Sequence, residues 1–332
     1  MKELQAIVGH LNLAGSGGVL ATLVTVEGSS YRMPGARMLF AEGGVRLGAI
    51  SGGCLEEDLL ERSKRVSASG RAELAVYDTT TENDLMWGVG LGCHGVVRVL
   101  LEPLPERPGW AAAVAENLRA GRATDLAVVW EGAGGSEGTL VRDARAAARL
   151  ASATGVFYET VEPTTLLSIF GAGDGAQPVA RLARELGWRV VVADPRPSMA
   201  TEARFPGATR LVTAPAEELV ARAAPAPGSL AVIMTHHYVH DRPLLRQLLP
   251  LPLAYLGMLG ARGRAKKLLA ELEAEGLALT PERLARLHAP VGLDLGADGP
   301  EEIALSIVAE MKAVLAGRDA RPLRDRGLPI HG

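Results

Sequence analysis

Two cysteines stand in the chain, and both are set in glycine. Cys54 follows Gly52 and Gly53 in "SGGCLEED", and Cys93 and His94 lie among Gly88, Gly90, Gly92 and Gly95 in "GVGLGCHG". "SGGC" leads into the amphipathic run "CLEEDLLERSKRV", which places Cys54 near a helix N-terminus. Glycines there leave backbone N–H groups uncovered, and the helix end favours anions, a thiolate among them. Glu56, Glu57 and Asp58 favour the helix start but oppose that negative charge. Around Cys93 the glycines can aim N–H groups at a ligand, with His94 placed to move a proton. The structural alternative is that cysteine is a small, often buried residue and the glycines only serve turns. A metal site from Cys54, Cys93 and His94 is a further reading, without the paired spacing that makes such sites specific.

A second constellation is Gly171, Gly173 and Ala176, a G-x-G-x-x-A run between the apolar "TLLSIF" and a helical pattern. The first glycine permits a tight turn and the second lets backbone approach a pyrophosphate. The small third residue lets helix pack on strand. Asp194 ends the next strand, where a carboxylate can bond a ribose hydroxyl. Asp174 places a negative charge in the same loop and repels a phosphate unless it is paired. Pro178 is tolerated in the first helical turn.

A third is "MTHHYVHD", with Thr235, His236, His237, His240 and Asp241 after a strand end. His236 and His240 share a helix face if the helix has already begun there; the alternative is Asp241 as a helix N-cap before "RPLLRQLL", with Pro243 in the first turn. "YLGMLGARGRAKK" is another glycine-rich strand-to-helix turn, whose Arg262 and Arg264 can hold phosphate bidentately. His288, Pro290, Gly292, Asp294 and Gly296 follow in a loop rich in turn residues, before Pro300, Glu301 and Glu302 open a last amphipathic helix.

These residues need elements to hold them. Before about residue 163 the chain mixes glycine-broken apolar runs with two or three helical patterns, an α/β mixture. After it, strands alternate with helices, the mark of a doubly wound parallel sheet. The expected division is an N-terminal α/β domain over 1–163, a Rossmann-like domain over 164–316 and a polar tail over 317–332. With 35 basic and 38 acidic residues, the formal net charge of −3 gives no electrostatic case for nucleic acid or an anionic membrane. No apolar run approaches the roughly 18 residues of a membrane span. Two cysteines make no disulfide framework, and neither a secretion signal nor an oxidising setting is read, so the expected location is cytoplasmic.

Taken in order, the motifs resemble the XdhC/CoxI family of xanthine dehydrogenase accessory factors. The matching segments are "GSSYRMPGARML" (28–39), "GAISGGCLEEDL" (48–59), "WGVGLGCHG" (87–95), "IFGAGDGAQPVARLA" (169–183), "THHYVHD" (235–241), "YLGMLGARGR" (255–264) and "APVGLDLGADGPEEIALSIVAE" (289–310). The resemblance implies binding of molybdenum cofactor (molybdopterin), help in its sulfuration with a cysteine desulfurase, and delivery to a molybdenum hydroxylase of the xanthine or carbon monoxide dehydrogenase type. It also implies a homodimer. Carried onto this chain, Arg37, Ser51, Gly52, Gly53, Gly90, Gly92 and His94 hold the cofactor, and Cys54 and Cys93 coordinate molybdenum or carry sulfur. In the Rossmann-like domain Gly171, Gly173, Ala176, Asp194, His236 and Arg262 form the ligand-binding set. The chain departs from the family at Asp174 and His237, where "GAGH" and an Asp or Asn after "TH" are expected.

Two other readings follow from the same residues. One is an NAD(P)-dependent oxidoreductase with His236 or His240 as acid–base group. The other is an adaptor that docks the molybdoenzyme through the arginine-rich tail, 318–332, and binds no small molecule.

Overall fold

The computed structural model describes residues 1–13, 17–78, 95–132, 135 and 137–327. Within them the chain forms two compact units, Met1–Pro163 and Thr164–Gly332. Cys93, His94, Gly90 and Gly92 lie outside the described residues, as does the end of the tail, 328–332.

The first unit runs α1 (Lys2–Leu13), β1 (Gly18–Gly28), β2 (Arg37–Ala41), β3 (Arg46–Gly48), α2 (Glu56–Ser69), β4 (Glu73–Asp78), β5 (Gly95–Leu104), α3 (Gly109–Ala120), β6 (Thr124–Gly132), β7 (Gly138–Val141), α4 (Ala147–Ala151) and β8 (Ala153–Val161). Five strands form an antiparallel sheet in the order β3-β2-β1-β5-β4, and three more form β7-β6-β8. Strand side chains alternate between faces. Val19, Ala21 and Leu23 of β1 therefore join Leu55, Leu59 and Val66, while Leu20 packs with Ile7, Leu11 and Trp110. Both faces of β1 are covered, so its hydrophobic run is nearly continuous rather than alternating.

The second unit runs β9 (Leu166–Phe170), α5 (Ala176–Glu185), β10 (Arg189–Asp194), β11 (Arg210–Thr213), α6 (Ala216–Ala223), β12 (Leu230–Ile233), α7 (Tyr238–Leu248), β13 (Tyr255–Met258), α8 (Arg262–Ala274), α9 (Pro281–Ala285), β14 (Leu287–His288) and α10 (Pro300–Leu315). All six strands are parallel, in the order β11-β10-β9-β12-β13-β14. Val179 and Ala183 of α5 and Ile307 and Met311 of α10 cover one face of the sheet. Leu219, Leu244 and Leu268, from α6, α7 and α8, cover the other. Strand order reverses between β9 and β12, the switch point outside which open α/β sheets bind ligands. The expected Rossmann-like, doubly wound architecture is the one observed.

Candidate functional site

Gly171 leaves β9 with φ +110°, and a Cβ there would lie 2.6 Å from the backbone of Met234 and Thr235. Only glycine lets the two loops of the switch point meet this closely. Gly173 differs: a Cβ there would meet nothing within 4 Å, so its surface is open to an approaching ligand. Ala176 is buried at the start of α5, close against the sheet, and Pro178 fits in the first helical turn.

The loop is bolted from two sides. Asp194, 1% exposed, accepts the Ala172 N–H at 2.7 Å. Its carboxylate also takes the Arg196 N–H at 2.8 Å and the Arg196 guanidinium at 2.9 and 3.0 Å. Burial alone would raise the Asp194 pKa, but these donors outweigh it and hold the group below its ordinary value. Both oxygens are thus engaged, and the ribose contact expected of Asp194 would have to break the Arg196 fork. On the other side Arg204 donates to Asp174 at 2.8 Å and to the Ala172 carbonyl at 3.1 Å. The repulsive charge anticipated at Asp174 is therefore paired.

Across the switch point, Thr235 and Asp241 are buried. The Thr235 hydroxyl donates to Asp241 and accepts the His237 N–H at 3.1 Å, and Arg264 closes an ion pair on the other Asp241 oxygen. Burial pushes the Asp241 pKa up despite Thr235, Arg264 and the nearby His236. α7 begins only at Tyr238, with His237 as N-cap. Two expectations are corrected by this start. His236 and His240 do not share a helix face, and Asp241 is a first-turn residue rather than the cap. His236 instead takes a left-handed backbone, φ +58°, and is exposed beside the switch-point backbone. Arg262 is exposed at the first position of α8, whereas Arg264 is committed to Asp241.

In the first unit, the turn carrying Cys54 is organised by Ser51 and Glu56. Ser51 Oγ accepts the N–H groups of Gly53, Cys54 and Leu55, each at 3.1 Å, and donates to Glu56. The Glu56 carboxylate also accepts the N–H groups of Ser51 at 2.8 Å, Leu55 at 3.1 Å and Ile50 at 3.2 Å. Gly53 and Cys54 therefore do not leave their N–H groups open to a ligand, contrary to the sequence expectation. Side-chain space is open instead: a Cβ at Gly52 or Gly53 would meet nothing within 4 Å, and Cys54 is exposed.

Arg37 is 3% exposed, ion-paired with Glu159 and bonded to the Gly35 carbonyl at 3.0 Å. It ties β2 to β8, and its two terminal nitrogens are engaged there rather than free for the cofactor contact expected of it. Glu159 stands 122 residues from Arg37 and gave no sequence signal. Another unforeseen set is Tyr255, His288 and Glu310: the two rings stack at 4.3 Å, and both residues bond the Glu310 carboxylate. Among the described residues, no group of three or more His, Cys, Asp or Glu is arranged to hold a metal ion, and no helix is long and apolar enough to cross a membrane.

A Rossmann-type sheet with its glycine turn at the switch point, together with an antiparallel unit carrying an exposed thiol on a rigid turn, defines the class of protein. Residues 167–311 match the XdhC Rossmann domain, and residues 12–78 match the XdhC and CoxI family. The chain is 36% identical over 311 residues to a probable xanthine dehydrogenase subunit of Bacillus subtilis (strain 168), covering 88% of this chain and 92% of that one. It is 25% identical over 302 residues to "Molybdenum cofactor insertion chaperone PaoD" of Escherichia coli (strain K12), covering 91% and 85%. A crystal structure of a xanthine dehydrogenase from Bacillus halodurans aligns over 97% of this chain and 99% of that chain, with a TM-score of 0.81 and 31% identity. The chain belongs to the XdhC and CoxI family.

Proposed function

We propose that the chain is an accessory factor that binds molybdenum cofactor, assists its sulfuration and delivers it to a xanthine dehydrogenase-type molybdenum hydroxylase. The observation that carries this reading is the full-length similarity to a molybdenum cofactor insertion chaperone, together with an exposed Cys54 on a turn fixed by Ser51 and Glu56. When bound, the cofactor supplies a molybdenum centre and an anionic phosphate. A thiolate suits the first, and Cys54 with Cys93 is the donor set proposed for it. The Ser51–Glu56 turn fits a thiol-presenting role better than a phosphate cradle, because the N–H groups of Gly53, Cys54 and Leu55 are already spent.

An exposed thiol also suits sulfur exchange with a second protein, in this reading a cysteine desulfurase in the cytoplasm. A homodimer is part of the same proposal. The occupied carboxylate of Asp194 weighs against routine NAD(P) use. Deleting the gene in its own cell tests the reading: a molybdenum hydroxylase should accumulate as folded protein with little cofactor and little activity. A fully active hydroxylase in the deletion strain would overturn it.

A further inference from the structure

A cleft of about 620 Å³ opens in the first unit between the end of β5, the first turn of α3, β7 and the turn into α4. Small-molecule sites fall in a range of roughly 300–1,000 Å³. None of Ser51 to Glu56 lines it, so it is separate from the Cys54 turn. Pro103, Leu104, Pro105 and Trp110 give it an apolar wall.

Most of its polar groups are engaged within the fold. Glu102, 6% exposed, accepts the Thr139 N–H at 2.7 Å and the Thr139 hydroxyl. Asp143 accepts the N–H groups of Arg145 at 2.9 Å and Ala146 at 3.2 Å. Arg149 donates to the Glu137 carbonyl at 2.8 Å. Among the described residues the Arg145 guanidinium has no partner, and it is exposed at the cleft. Gly109 and Trp110 open the 12-residue α3, where N–H groups lack intrahelical acceptors and the helix end carries partial positive charge. Trp110 is 4% exposed with its indole Nε1 buried, so it contributes to the wall of the cleft and not to its donors. The lining also carries the carboxylates of Glu102, Asp143 and Glu137, and of these Glu137 has no donor among the described residues.

What remains unsatisfied among the described residues is the Arg145 guanidinium and the first N–H groups of α3, beside an apolar wall, with the Glu137 carboxylate as the one unpaired carboxylate of the lining. We propose that this cleft binds a small organic anion, a carboxylate or phosphate monoester carried on an apolar body. The anionic head is recognised by Arg145 and the first N–H groups of α3. The body packs on Pro103, Pro105 and Trp110.

The test is calorimetric titration of the full chain with benzoate, phenyl phosphate and inorganic phosphate, repeated on Arg145→Glu and on the Cys54→Ala/Cys93→Ala double variant. Benzoate or phenyl phosphate should bind at one site per chain, and whichever binds more tightly identifies the head group. Arg145→Glu should weaken that binding about tenfold or more, as loss of a charge-assisted bond does. The double cysteine variant should bind the same compound unchanged, which separates this site from the cofactor reading. Binding of neither organic anion at millimolar concentration overturns the proposal. So does binding that Arg145→Glu leaves intact, or inorganic phosphate binding as tightly as phenyl phosphate. Arg145 is exposed, so its variant folds.

Discussion

Ser51 and Glu56 hold each other across the turn that carries Cys54: the hydroxyl donates to the carboxylate, and between them they take up the N–H groups of Ile50, Ser51, Gly53, Cys54 and Leu55. The thiol is therefore presented by a closed hydrogen-bonded turn and not by a loose glycine loop. Removing either partner leaves several donors of that turn without an acceptor.

Ser51→Ala should cost about 1–2 kcal/mol in urea denaturation at neutral pH, the range for backbone donors left without an acceptor. Cys54 should at the same time react faster with a bulky thiol reagent, because the turn loosens. A variant as stable as the parent, with unchanged thiol reactivity, would show that the turn does not depend on Ser51.

The same turn sets a pH dependence. Burial tends to raise the Glu56 pKa, but the Ser51 hydroxyl and the surrounding N–H groups outweigh it and hold the carboxyl below 4.5, its ordinary value. A depressed folded pKa stabilises the protein above the unfolded value and loses that contribution as pH falls through the folded one. Acid titration from pH 5 downward should therefore show a smaller stability loss in Glu56→Gln than in the parent. Parallel acid-unfolding curves for the two proteins would contradict this.

At the switch point, Gly171→Ala and Gly173→Ala should separate scaffold from ligand surface. The first forces a Cβ to 2.6 Å from the Met234–Thr235 backbone at φ +110°. It should cost about 3 kcal/mol through overpacking and backbone strain. The second points into open space and should leave thermal stability within about 1 kcal/mol of the parent. Equal melting temperatures for the two variants would refute the assignment.

Asp194 anchors the glycine loop through the Ala172 N–H. Asp194→Ala should destabilise by about 2 kcal/mol, because that buried donor loses its acceptor. Fluorescence titration of the parent with NAD or NADP should show no binding at millimolar concentration, since the carboxylate is already forked by Arg196. Micromolar nucleotide binding would reverse the role given to Asp194.

Much of the second unit was legible in the sequence, because its signals are local. Apolar β-strands of five or six residues, the Gly171–Ala176 spacing and the small residues of α5 each report on neighbours a few positions away. The start of α7 was less legible: "THHYVHD" offers polar groups that fit either a helix or a turn, and the structure has a turn around Thr235, whose hydroxyl bonds the buried Asp241 that Arg264 pairs from a distant part of the sequence. The fates of Arg37 and Glu102 were not readable at all. Arg37 is claimed by Glu159 and Glu102 by Thr139, partners brought together by the tertiary fold from distant parts of the sequence. The Ser51–Glu56 pairing was not readable either: a capping box spaces serine and carboxylate three residues apart, these stand five apart with Leu55 as the N-cap, and the Glu56 charge reads first as opposing a thiolate.

The most direct test of cofactor binding is native mass spectrometry, with molybdenum and pterin analysis, of the chain purified from cells that make molybdenum cofactor. The parent should carry pterin and molybdenum, and the Cys54→Ala/Cys93→Ala variant, equally folded, should lose at least about tenfold of both. Cofactor content unchanged in the double variant would contradict the role given to the thiols, and a parent free of pterin would contradict cofactor binding itself.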